Sequence, residues 1–310
     1  MLVERLTQPL SKKLLWSLLL VSVGSDLVLY FTRFSYLAET LYTNILLFGI
    51  IVGIKLAPRL SGLGEGAEQG PAPTSKQTKK RLFSVFTKAF FLFYILNLVN
   101  NIYISESFTA FNESADLIAE DFSSMASEFE EAPSSTPDPE MEAPTFYRAF
   151  DWIDTVGFDF FDSFIAGLEE VWRLSYIVLF LALFKKIFPK WWQRSNKDSF
   201  LILAIMLSSF LFGVGHSLSV EQEWTVFVGT VVNYTNMGLI LGYLLISTRN
   251  LWLLVFIHGL YNVLATISWH YMTLSLELFV LLILIINWLI TNLNRRAVIP
   301  TNYAPQNKQA

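Results

Sequence analysis

The chain has 310 residues, 53% hydrophobic and 15% charged, with a mean hydropathy of +0.46; a soluble domain carries about 25% charged residues, so an ordinary water-soluble globule is excluded. The net charge of −4 says little about partners, because the charges are segregated along the chain, and no nucleic-acid partner is expected. Cysteine is absent, which removes disulfides, thiol catalysis, thiolate metal ligands and cysteine lipidation.

Apolar runs of roughly 18 to 25 residues, each long enough to cross a bilayer, alternate with short charged connections. In chain order they predict helices near 14–32, 36–56, 83–104, 163–187, 199–217, 224–247, 250–269 and 273–293. The first two are joined by a tight connection around Arg33. No single signal peptide explains the pattern, because the first apolar run is followed by several more. The expected fold is therefore an all-α integral membrane protein of about eight transmembrane helices.

Two stretches interrupt the apolar pattern. Residues 57–81 hold a Gly/Pro/Ser-rich linker that ends in a basic cluster. Residues 105–162 are acidic, with Glu128, Glu130, Glu131, Asp138, Glu140 and Glu142 among the charges. The low-complexity portion APSSTPDPEMEAP is expected to be disordered. The aromatic and aspartate-rich portion after it has the character of an interfacial helix.

Basic residues stay on the cytoplasmic side of membranes. They gather at Arg5, Lys12 and Lys13; at Arg59, Lys76, Lys79, Lys80 and Arg81; at Lys185, Lys186, Lys190, Arg194 and Lys197; at Arg249; and at Arg295 and Arg296. These segments fall in alternate connections, which predicts a multi-pass plasma-membrane protein with both termini cytoplasmic and the acidic loop outside. The predicted regions are a three-helix N-terminal part over 1–104, the outer loop 105–162, a C-terminal membrane region 163–293 and a cytoplasmic tail 294–310.

An ionisable group at the bilayer centre costs about 2.5–3.5 kcal/mol on insertion scales, so each one inside a span demands a reason. The fourth predicted span opens with GLEEVWRLSY, carrying Glu169, Glu170 and Arg173. The fifth ends with FLFGVGHS, carrying Phe212 and His216, and the seventh contains FIHGLYNVL, carrying His258 and Asn262. Glu169 and Arg173 are one helical turn apart, as are Phe212 and His216, and His258 and Asn262, while Glu170 and Arg173 stand at i,i+3. Three helices can thus turn polar faces toward one cavity. The bland alternative is interhelical hydrogen bonding, worth roughly 0.6–2 kcal/mol per contact. His270, in WHYMT, reads as an interfacial residue, and Asp26 in the first span as a satisfied helix contact.

The set E-E-x-x-x-R, F-x-x-x-H and H-x-x-x-N, together with GLILGYLLISTRNLWLLVFIHGLYN over 238–262, resembles the CPBP family. That family includes CAAX prenyl endopeptidases and bacterial bacteriocin-processing or self-immunity proteins. The resemblance covers about residues 165–265 and implies an eight-helix intramembrane protease fold. It further implies that Glu169 and His216 activate water while His258 and Asn262 stabilise the oxyanion, with Glu170, Arg173 and Phe212 in support. Leu174 stands where many bacterial members have glycine after the motif arginine, a change that touches helix packing more than chemistry.

Peptide hydrolysis without serine or cysteine attack needs a base for water and donors for the developing oxyanion. The residues above can supply both, with Arg173 holding Glu170. Other intramembrane protease plans lack their motifs: there is no H-E-x-x-H, no G-x-S-x-G and no suitable pair of intramembrane aspartates. No cofactor or metal is expected; a zinc held by Glu169, His216 and His258 ranks below the glutamate–water mechanism. The expected partners are the lipid bilayer and a membrane-embedded or membrane-associated peptide. The alternative reading is a catalytically silent regulator or self-immunity scaffold of the same fold. A transporter is disfavoured, because the motif helices lack proline and the two halves do not resemble each other.

Overall fold

The structure, a computed structural model, describes residues 2–61, 75–111, 157, 160–194, 196–219 and 221–297. The expectations for the acidic low-complexity stretch, for most of the interfacial helix and the Gly/Pro/Ser linker, and for the end of the tail lie outside these residues.

Ten helices are distinguished among the described residues: α1 Leu2–Leu6, α2 Lys12–Thr32, α3 Tyr36–Ser61, α4 Ser75–Ser107, α5 Glu169–Ile187, α6 Pro189–Arg194, α7 Lys197–Leu218, α8 Trp224–Thr248, α9 Leu251–His270 and α10 Ser275–Ala297. Seven of them are long and apolar enough to cross a membrane. The expected span over 163–187 forms α5, which carries Glu169, Glu170, Arg173, Lys185 and Lys186 and so falls outside that composition. Large apolar side chains such as Leu37, Ile51, Val99, Ile202 and Leu281 face outward, an arrangement at odds with water and suited to lipid. The chain is an all-α, multi-pass membrane protein.

Local chemistry sets the helix ends. Ser11, Asn196 and Asn250 each turn a side-chain oxygen onto a backbone N–H at the start of α2, α7 and α9. Arg33 to Ser35 form the tight connection between α2 and α3. The helix α3 runs further than expected, to Ser61, with Pro58 inside it at the loss of one backbone hydrogen bond. Within α2, Leu20–Gly24 form a π-helical turn, a local widening that re-aims the residues after it, Asp26 among them.

At the centre lies α5, whose residues Glu169 to Val178 are all buried. It packs against α2, α3, α7 and α9, while α4 bridges α8 and α10. A helical stretch enclosed on every side has no solvated face for a charge, so Glu169, Glu170 and Arg173 must find partners within the protein. Glycines let the pair α7/α8 approach closely: a Cβ on Gly238 would lie 2.9 Å from the Ser209 Cβ, and one on Gly242 would lie 2.6 Å from Ile205.

The two ends of the bundle are held by different polar contacts. At one end, α1 buries Leu2, Val3 and Leu6, Arg5 donates to the Arg59 and Leu60 carbonyls, and Lys197 bonds Glu4 at 2.7 Å. The hydrogen bond from Lys197 holds the Glu4 carboxyl below the usual carboxylate range. The opposite end carries the start of α5 and the end of α7, and there Arg33 approaches the exposed Glu221 at 3.8 Å.

Candidate intramembrane active site

The local course of the chain before α5 places two glutamates at a helix start. Residues 160–165 are helical, and Ala166–Leu168 tighten into a 3₁₀ turn. Gly167 meets the Val255 carbonyl and the backbone of Gly259, a closeness that leaves no room for a side chain. Glu169 and Glu170 then occupy the first turn of α5, where the helix dipole favours negative charge.

Glu170 is buried and saturated. Arg173 Nη1 donates to its two carboxylate oxygens at 3.0 and 2.8 Å, and His258 Nδ1 lies 3.1 Å from Oε1. Arg173 is itself held by the Gly238 carbonyl, and its guanidinium lies 5.6 Å from the centroid of the Phe212 ring. The expected Glu170–Arg173 pair is therefore present, with His258 as a further partner and α5, α7, α8 and α9 all drawn into one cluster. A buried pair of this kind needs such extra hydrogen bonds to offset the desolvation of both charges.

Glu169 has a different setting. Its Oε1 accepts a hydrogen bond from Tyr42 Oη at 2.9 Å, and its Oε2 lies 3.6 Å from His216 Nε2. That second separation is too long for a direct hydrogen bond. His216 is fixed by Nδ1, which lies 2.9 Å from the Phe212 carbonyl. A carbonyl only accepts, so Nδ1 carries the hydrogen and Nε2 is the nitrogen turned to Glu169. Aromatic rings hold the imidazole on its faces: Tyr234 stacks at 4.4 Å, Phe212 lies at 4.3 Å and Trp172 at 6.0 Å. Phe212 thus serves both clusters, through its ring and its carbonyl.

Asn262 follows His258 by one turn on α9 and is partly buried; it makes no side-chain hydrogen bond among the described residues. The fold thus joins Glu169 to His216 and Glu170 to Arg173 and His258, while Asn262 is bonded to neither group. Among the described residues no three His, Asp or Glu side chains converge as a metal-holding group. The side chain of His270 lies outside the described residues.

Two residues enter that the sequence did not single out, and Asp26 stands otherwise than expected. Tyr42 comes from α3, 127 positions before its partner. Tyr234 lies in TVVNYTNMG, and that polar run inside an apolar helix was a usable signal. Asp26, expected as a satisfied contact, is satisfied on one side only. Its Oδ2 accepts from Tyr176, whereas Oδ1 makes no hydrogen bond and lies against Gly215, which has no side chain to offer.

Residues 164–264 match the family model described as type II CAAX prenyl endopeptidase Rce1-like. No curated protein and no solved structure matches the chain. The matched stretch contains every residue of the three motifs, from Glu169 to Asn262, and excludes Tyr42 and Asp26. The match supports the CPBP/CAAX protease family, and a CAAX-type intramembrane protease kind of function, for residues 164–264 of this membrane protein.

Proposed function

We propose that the chain is an intramembrane endopeptidase that cleaves membrane-embedded or membrane-associated peptides with water activated by Glu169 and His216. The observation that carries this reading is the 3.6 Å gap between Glu169 Oε2 and His216 Nε2 in a buried setting. Two acceptors at that separation can share one water, which donates a hydrogen to each and keeps a lone pair for attack.

In this mechanism Glu169 takes a proton as the water oxygen bonds to the peptide carbonyl carbon. His216 steadies the water and shares the proton, which then passes to the leaving amine as the C–N bond breaks. Asn262 donates its side-chain amide to the oxyanion. His258 can join it from Nε2 while Nδ1 donates to Glu170 only when the ring is doubly protonated. The Arg173–Glu170–His258 cluster fixes α9 against α5. Every step uses the chain's own residues and needs no metal ion or cofactor.

The basic end of the bundle argues for a cytoplasmic placement of both termini. The site then opens toward the outer leaflet of a plasma membrane, and peptides reached from outside fit better than cytosolic prenylated proteins. Bacteriocin-like precursors are one such class.

The test compares peptide termini, membrane-bound and secreted, in cells carrying the wild type or Glu169→Gln at matched expression. Termini that vanish only in the variant are expected. Identical termini, with the wild-type phenotype restored by Glu169→Gln, would instead favour the silent regulator.

A further inference from the structure

We infer that Tyr42 is a positioning residue for the Glu169 carboxylate, supplied by a helix outside the stretch that matches the family. This rests on the reading of Glu169 as the base. A glutamate side chain has three rotatable bonds, and in a helix start several rotamers are open to it. Glu170 is confined by Arg173 and His258. Among the described residues the sole hydrogen bond that confines Glu169 is the one from Tyr42 Oη to Oε1 at 2.9 Å.

That bond divides the labour of the two oxygens. An ionised carboxylate only accepts, so the phenol must donate. With Oε1 occupied, Oε2 is the oxygen left to face His216 Nε2 across the 3.6 Å gap. Tyr42 therefore selects which lone pair receives the water's proton and holds it in place.

The position of Tyr42 is itself rigid. Ile45, Leu46, Gly49, Val52, Gly53 and Leu56 form the buried face of α3. Tyr42 stands one turn before this stripe and packs against the same core. Gly53 lets that face seat closely: a Cβ there would lie 2.9 Å from Trp252 of α9 and 3.2 Å from Val171 of α5, and Gly49 faces Val171 at ordinary contact distance. Val171 is two residues from Glu169, so the backbone that carries the phenol is registered against the backbone that carries the base. The N-terminal half then contributes a side chain to the chemistry.

The experiment uses the full-length protein in liposomes, with a synthetic peptide centred on a terminus that vanishes in Glu169→Gln cells. Wild type, Tyr42→Phe, Glu169→Gln and the double variant are compared. Tyr42→Phe keeps the ring, and its kcat is expected to fall about 10- to 100-fold, the scale of one lost hydrogen bond to a charged group, with KM within about twofold. The double variant should be no slower than Glu169→Gln, since one residue acts through the other. Fluorinated tyrosines at position 42 preserve the fold while grading the strength of the donor, and kcat should follow that grade.

A fall in Glu169→Gln alone, with Tyr42→Phe at the wild-type rate or a flat fluorotyrosine series, overturns the role of Tyr42 and leaves the base assignment standing. Additive losses in the double variant also overturn it, in favour of a packing role. Equal rates for wild type and Glu169→Gln overturn the base assignment, and the role of Tyr42 with it.

Discussion

Glu169 and Glu170 are consecutive residues in one buried helical turn, yet the protein treats them in opposite ways. Glu170 is tied to a guanidinium and an imidazole, with both of its oxygens bonded, in a cluster that Arg173 extends to four helices. Glu169 has one oxygen bonded to a tyrosine and the other turned to a histidine 3.6 Å away. Successive side chains on a helix diverge by about 100°, so a single turn can send one carboxylate to Arg173 and His258 and its neighbour to Tyr42 and His216. Charge in the membrane interior is therefore used twice here, once satisfied in full and once left incomplete.

The widest separation between the two glutamates comes from removing the arginine. Arg173→Leu strands Glu170 in the bundle and is expected to cost about 3–5 kcal/mol of stability, the usual toll of breaking a buried ion pair. Unfolding in detergent micelles measures it. A loss as small as that of a surface substitution would break the view of Glu170 as a structural clamp.

Gly167→Ala sharpens the comparison from the backbone side. The added methyl group meets the Val255 carbonyl and Gly259, so the 3₁₀ turn before Glu169 must shift. Overpacking of this kind costs about 1–3 kcal/mol. Because Glu170 is tethered by two side chains and Glu169 by the Tyr42 hydrogen bond alone, cleavage should decline more than stability does.

A remote polar cluster supplies a control. Asn100 donates to Asn233 at 2.6 Å and accepts from Asn236 at 2.9 Å, joining α4 to α8. Asn100→Ala is expected to cost about 1 kcal/mol, in line with roughly 0.6 kcal/mol per interhelical hydrogen bond, with both glutamates undisturbed.

The smallest effect belongs to the exposed end. Lys197 holds the Glu4 carboxyl below its usual range, so the contact stabilises the fold above the unfolded-state value. That contribution disappears as the pH falls through the lowered folded-state value. Melting temperatures of wild type and Glu4→Gln should differ slightly near neutral pH and converge in acid. A gap that widened in acid would contradict the assignment.

Much of this was legible in the sequence because a membrane imposes simple rules. Apolar length located the long helices, and the i,i+3 and i,i+4 spacings grouped Glu170 with Arg173 and Phe212 with His216. The links between helices were not legible in the same way. Nothing in the spacing tied His258 to Glu170 or the Arg173 guanidinium to the Gly238 carbonyl, since those contacts depend on how α8 and α9 are seated against α5. Tyr42 lay hidden because tyrosine is unremarkable in a membrane span. The π turn at Leu20–Gly24 left no mark that hydrophobic periodicity could read.

The central claim is that Glu169 activates water while Glu170 holds the fold. The most direct measurement places purified wild type, Glu169→Gln and Glu170→Gln in liposomes, then records peptide cleavage in ¹⁸O-labelled water and unfolding on the same preparations. Glu169→Gln is expected to stay folded and lose about 10²–10⁴-fold in rate, the usual contribution of a general base, whereas Glu170→Gln loses stability first. A folded Glu169→Gln protein that cleaves the peptide and incorporates the label at the wild-type rate would contradict it.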